Sequence, residues 1–184
     1  MKNFARFVMR LLGWTCDYDH LPSEQKCIII GVPYTTAWDF VISWLYYTSA
    51  GRVANVMVKK EFFFWPMGIL MKKMGALPID RSRGANIIRQ TIQMVKENEY
   101  IHLAIAPEGT RDRTTRWKAG FHMIARETGI SVYLGSFDWK RKIITTGEKF
   151  ELTDDAAADI KRMKDYYREK GIAGKHPEKF TTDY

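Results

Sequence analysis

Tyr100-Ile101-His102-Leu103-Ala104-Ile105-Ala106, followed by Pro107-Glu108-Gly109-Thr110-Arg111, is the stretch on which the fold turns. The first seven residues carry the density of apolar side chains expected of a buried strand. The next five break it with proline, glycine and charge. A strand that stops in such a turn gathers backbone N–H groups and a guanidinium in one place, which suits an anion and a phosphate in particular. Taken alone the turn is equally a solvated surface loop, because Pro and Gly punctuate loops and charges solvate them.

The same punctuation recurs upstream. Gly31-Val32-Pro33-Tyr34-Thr35-Thr36-Ala37-Trp38-Asp39-Phe40 follows the apolar run Cys27 to Val32, and Gly75-Ala76-Leu77-Pro78-Ile79-Asp80-Arg81 holds a further short strand, Ala76 to Ile79. Thr35 or Thr36 can cap a helix running to about Ser49. Val53 to Val58 reads as a strand. A helix from about Ala85 to Glu97 has Ile87, Ile88, Ile92 and Val95 for its core face. Gly120 to Thr128 is a helix stopped by Gly129. Ser131 to Asp138 and Lys142 to Thr146 read as strands of a hairpin around Lys140 and Arg141, and a last helix runs from Asp154 or Asp155 to near Gly171. The order βαβαβαβ with a β-rich later part predicts an α/β fold, a single-domain αβ sandwich with a mixed, largely parallel central sheet flanked by helices. At 184 residues the chain reads as one domain, 1–184, with an amphipathic helix at 1–13 and a C-terminal helix and tail at 150–184.

Composition narrows the partners. Hydrophobic residues make up 46% and aromatics 14%, which excludes a disordered chain. The net charge of +8 points to nucleic acid or to an anionic membrane surface. No nucleic-acid-binding motif is present, and the arginines sit in strand-end turns rather than along one helix, so the expected surface is lipid and not nucleic acid. Cys16 and Cys27 form neither a disulfide framework nor a metal-ligand spacing, so no metal is expected and a reducing cytoplasmic setting fits. No apolar run reaches the roughly 20 residues needed to span a bilayer, and no signal peptide is recognisable. The expectation is a peripheral protein on the cytoplasmic membrane face. Lys2, Arg6 and Arg10 form a row beside Phe4, Val8, Leu11 and Leu12, the pattern of an interfacial helix; a helix packed on its own domain has the same pattern. Phe62 to Met67 is a dense apolar loop. It can line an acyl channel or dip into a membrane, but core is the expected fate of at least half of it.

Together the three turns resemble, in order and spacing, the blocks of the glycerolphosphate acyltransferase family of the lysophosphatidic acid acyltransferase type: His-x4-Asp, a Gly-x-x-x-Ile-Asp-Arg-like block, and Phe-Pro-Glu-Gly-Thr-Arg. The resemblance spans residues 28–135, with Ile130 to Leu134 in the place of a fourth block that commonly has proline where Ser131 stands. It implies transfer of a fatty acyl group from an acyl carrier protein or coenzyme A thioester to a hydroxyl of a lyso-phospholipid-like or other anionic acceptor, with no cofactor besides the donor. It also implies that Arg81, Glu108, Gly109, Thr110 and Arg111 form the substrate site, and that Tyr34 and Asp39 occupy the catalytic positions. In the family, aspartate holds a histidine that takes the proton of the acceptor hydroxyl.

Here the histidine position is Tyr34. A phenol titrates near about 10 and an imidazole near about 6.5, so tyrosine is a poor base at neutral pH. It can fill the space and donate a hydrogen bond to Asp39. Loss of a positioned base costs roughly 10²–10⁴ in rate. A second reading therefore stays open, a catalytically weak or inactive lipid-binding relative. Among the other histidines, His122 follows the Glu108 turn on a helix and is the alternative base, while His102 reads as core. His20 and His176 lie near the termini without a supporting pattern.

Overall fold

Strand β2 (Lys26–Val32) sets the architecture. Its Ile28, Ile30 and Val32 belong to one buried cluster and Cys27 and Ile29 to another, as the two-residue period of a strand requires. A strand apolar on both faces must be covered on both. The computed structural model, which describes residues 1–80 and 86–184, covers it with helices on each side.

Among the described residues the sheet has eight strands. They are β1 (Thr15–Cys16), β2, β3 (Asn55–Lys59), β4 (Ala76–Ile79), β5 (Ile101–Ile105), β6 (Ser131–Asp138), β7 (Ile143–Thr145) and β8 (Lys149–Phe150). The order is β1-β7-β6-β2-β5-β3-β4, with β8 beside β6. The β2–β5, β2–β6, β3–β5, β3–β4 and β1–β7 pairs are parallel; β6 pairs antiparallel with β7 and β8. Helices α1 (Lys2–Leu11) and α2 (Ala37–Ala50) close one face with Ala5, Met9, Ile42, Leu45 and Tyr46. Helices α4 (Asn86–Glu97), α5 (Gly120–Thr128) and α6 (Ala156–Lys170) close the other with Val95, Phe121, Ile124, Met163 and Tyr167. The short helix α3 (Met67–Lys73) lies between β3 and β4. The fold is thus the expected αβ sandwich with a mixed, mostly parallel sheet.

Register brings the site together. Ile30 lies opposite Ile105, Val32 opposite Ser136, Val56 opposite Ala104 and Lys59 opposite Ile79. The segments that follow these strands, beginning at Pro33, Ala106, Lys60 and Asp80, therefore leave the sheet at one edge. In open α/β sheets that carboxyl edge is where ligands bind.

Ile30 is fully buried at the centre of the sheet. Ile30→Ala is expected to lower stability by about 2–5 kcal/mol, read as a lower urea midpoint at an unchanged slope.

Candidate active site

Three residues fold the loop between β2 and α2. Thr36 is the N-cap of α2, Asp39 stands at its N3 position, and the two form a reciprocal capping box. Asp39 Oδ2 accepts the backbone N–H groups of Thr35 and Thr36, both at 2.8 Å, and Oδ1 accepts Trp139 Nε1 at 2.6 Å. The carboxylate is almost wholly buried. Burial pushes its pKa up, against the pull of the Thr36 and Thr35 amides, the Trp139 indole and the Lys175 charge. The expected bond from Tyr34 to Asp39 does not form; Asp39 accepts from its own cap and from Trp139. The half-buried Tyr34 instead joins the site through its backbone.

The partner of Tyr34 is Glu108. Its Oε2 accepts the Tyr34 N–H at 2.7 Å across 74 residues of chain. Glu108 is 5% exposed. Burial raises its pKa from 4.5 to about 7; the Tyr34 amide opposes the rise and the negative charge of Asp39 adds to it. Two buried carboxyl groups thus flank one loop.

The turn after Glu108 carries the opposite charge. Gly109 has φ +65°, and a Cβ there would meet Lys118 Cε and Nζ at 2.7 Å, so the lysine side chain lies directly on the glycine. Lys118 N donates to Pro107 O at 2.7 Å and closes the loop, and Thr110 Oγ1 accepts the Asp112 amide at 3.2 Å. Arg111 and Lys118 are exposed, and neither has an ion pair among the described residues. Two cations without ion pairs among the described residues, beside one turn, suit an anion. Arg81 lies outside the described residues; its neighbour Asp80 is at the same sheet edge, paired with Lys60 at 2.6 Å. Among the described residues, no group of three or more His, Cys, Asp or Glu could hold a metal ion.

Two further sequence readings change. His122 is not poised at the site. Its Nε2 contacts Thr153 O at 3.0 Å and Asp159 Oδ2 at 3.2 Å, at the contact of α5 with the start of α6. The segment from Phe62 to Met67 is largely surface, not core: Phe62, Phe64, Trp65 and Met67 are 44–82% exposed. It links β3 and β4, the last two strands at one end of the sheet. His102 is core as expected, held by Tyr47 OH and Glu24 O. Trp139, Lys175 and His176 are site neighbours with no local signal. They meet Asp39, Trp38 and Thr35 across 100 or more residues.

The raised pKa of Glu108 has a consequence for stability. The folded state holds the proton up to about pH 7 and the unfolded chain only to about 4.5. The stabilising contribution is full below the lower value and is lost as pH rises through the upper one. At 1.36 kcal/mol per unit the loss is at most about 3 kcal/mol. Glu108→Gln keeps an acceptor for the Tyr34 amide and has no proton to lose. Its urea stability should gain on wild type between pH 5 and pH 8; an unchanged difference would contradict the assignment.

Comparison with known proteins agrees with this fold. The family model described as Acyltransferase matches residues 16–134, a span that contains both strand-end turns and the segment between them. No curated protein matches the chain. The crystal structure of the 1-acyl-sn-glycerophosphate (LPA) acyltransferase PlsC from Thermotoga maritima is similar in fold, with a TM-score of 0.60 and 13% identity over 93% of this chain and 76% of that one. With well over half of its length matched, the chain belongs to the Acyltransferase family.

Proposed function

We propose that the chain moves a fatty acyl group from an acyl carrier protein or coenzyme A thioester to a hydroxyl of a phosphorylated, lyso-phospholipid-like acceptor. The observation that carries this reading is the pairing of Arg111 and Lys118, free of ion pairs among the described residues, with the buried Asp39–Glu108 loop at one strand-end edge. The cations hold the acceptor's phosphate, with Arg81 as a further candidate. The acceptor hydroxyl then lies over the loop at residues 33–36. Its oxygen attacks the thioester carbonyl, its proton goes to a base, and the thiol leaves.

Position 34 is where the family has that base. Asp39 Oδ1 accepts one hydrogen bond, from Trp139, and a carboxylate oxygen has room for another. An imidazole at position 34 has an orienting partner ready. Tyr34→His should raise acyl transfer by roughly 10²-fold or more, and Asp39→Asn should remove most of that gain. Labelled acyl transfer from both thioester types to a panel of lyso-lipids measures it. Equal rates for the tyrosine and histidine forms would contradict the role of position 34. The phenol at this position also favours a second reading, a lipid-binding relative with little catalysis. On that reading Tyr34→His binds lyso-lipid and transfers nothing.

The acceptor's source is a membrane. No described helix is long and apolar enough to cross one. Helix α1 packs through Ala5 and Met9 and presents Phe4, Phe7, Leu11 and Leu12 outward beside Lys2 and Arg10. A second exposed apolar segment, Phe62 to Leu70, lies between Lys59–Lys60 and Lys72–Lys73 and begins at the site's own sheet edge. Basic groups near an anionic leaflet are worth about 1 kcal/mol each. Sedimentation with phosphatidylglycerol vesicles should show binding that weakens with salt. It should also weaken in the triple variant Phe4→Ser, Phe7→Ser, Leu11→Ser, which spares the core side of α1. Binding unchanged in that variant would reject α1 as an anchor.

A further inference from the structure

Residues 172–184 run back over the carboxyl edge of the sheet. Beyond α6, Ala173 O accepts Trp139 N at 2.9 Å. Gly174 sits so close to the loop after β2 that a Cβ there would lie 2.8 Å from Thr35 Cγ2 and 3.3 Å from Pro33 Cγ. Lys175 places its ammonium over the rings of Trp38 and Trp139, 5.4 and 5.1 Å from their centroids. His176 N donates to Thr35 Oγ1 at 3.4 Å. After a single turn, Pro177–Lys179, Lys179 lies 3.8 Å from Asp112, and Asp183 pairs with Arg113 at 3.2 Å. The strap is therefore fastened at both sides of the site, to the loop that holds Tyr34 and to the loop that holds Arg111. His176 lies in the span between the two fastenings.

The chemistry of His176 suits that place. Its imidazole is 45% exposed, Nδ1 faces Glu178 Oε1 at 3.6 Å, and Nε2 has no hydrogen-bond partner among the described residues. The three other histidines are engaged elsewhere: His20 with Asp17, His102 with Tyr47 and Glu24, His122 with Asp159 and Thr153. The two nearby carboxyl groups are buried and already accept hydrogen bonds from the loop. Successive Cα atoms are about 3.8 Å apart, so the His176 backbone, bonded to Thr35, lies beside the loop that carries position 34.

We propose that His176, with Glu178 beside its Nδ1, is the proton acceptor for acyl transfer by this chain, brought by the C-terminal strap to the loop where position 34 lacks an imidazole. The inference rests on the acyl-transfer reading. Nε2 takes the proton of the acceptor hydroxyl as its oxygen forms the bond to the thioester carbonyl carbon. The carbon–sulfur bond breaks with its electron pair on sulfur, and the imidazolium returns the proton to the thiolate. A base on a strap is held less firmly than one on the capped loop, so the chain is slower than its Tyr34→His form.

The test is a double-mutant cycle on the full chain. Acyl transfer to 1-oleoyl-glycerol 3-phosphate is measured with palmitoyl-coenzyme A and palmitoyl-acyl carrier protein as donors. His176→Ala should lower turnover of the wild-type chain about 10²-fold, the low end for loss of a positioned base. In the Tyr34→His background the same change should cost less than about 10-fold, because the two imidazoles serve one step. Equal losses in both backgrounds would make His176 a structural residue and overturn the proposal. So would turnover unaffected by His176→Ala, which leaves the acyl-transfer reading standing, or a wild-type chain that is inactive while Tyr34→His is active, which confines acyl transfer to the histidine form. No transfer by the wild-type or the Tyr34→His form with either donor would instead sink that reading, and the inference with it.

Discussion

The site depends on one hydrogen bond, from the backbone N–H of Tyr34 to the buried carboxyl of Glu108. The bond joins the loops that follow two adjacent parallel strands, β2 and β5, and it can form because their register is fixed by pairs such as Ile30 with Ile105. An amide donor held by a buried acid is costly to break, since either group left alone would be desolvated and unpaired. The first loop is fixed from its other side by Asp39, which takes two backbone amides and an indole. The backbone around position 34 is thus set independently of the side chain it carries. That explains how a phenol can replace an imidazole here without disturbing the fold.

Charge is arranged in layers around this bond. Glu108 and Asp39 lie inside, each with a pKa raised by burial, and Arg111 and Lys118 lie outside without ion pairs among the described residues. An anion bound at the rim would add charge opposite the cations and above the acids, so the protonation of Glu108 and acceptor binding are coupled by simple electrostatics. Lys175 acts in the opposite direction. Its charge pulls against the rise in the Asp39 pKa while its ammonium rests on Trp38 and Trp139.

Much of this was legible in the sequence, and for physical reasons. Strands and helices buried on a regular period announce themselves, so the runs at Cys27, Ala76 and Ile101 and the helix at Gly120 appear where the pattern puts them. The strand-end turns carry chemistry within a few residues, so Asp39, Glu108 and Arg111 could be picked out and the fold then gathered them. Of the two candidate caps, Thr35 and Thr36, it is Thr36 that caps the helix, with Asp39 at N3. What could not be read is contact across the chain. Trp139 reaches Asp39 from 100 residues away and His176 reaches Thr35 from 141, with no local pattern to mark either. β1 and β8 have two residues each, too few for a period to register. The aromatic run at Phe62 has the composition of a core segment; only its place at the end of the sheet leaves it outside.

The bond between Tyr34 and Glu108 can be observed directly by following the Tyr34 backbone amide in a ¹H–¹⁵N spectrum from pH 5 to pH 9. An amide proton held at 2.7 Å by a carboxyl oxygen should resonate downfield and shift as that carboxyl ionises, with a midpoint near 7. The shift should vanish in Glu108→Gln while the Thr35 and Thr36 amides, held by Asp39, keep their places. A Tyr34 amide that does not titrate, or that titrates equally in Glu108→Gln, would contradict the account of how the site is held together.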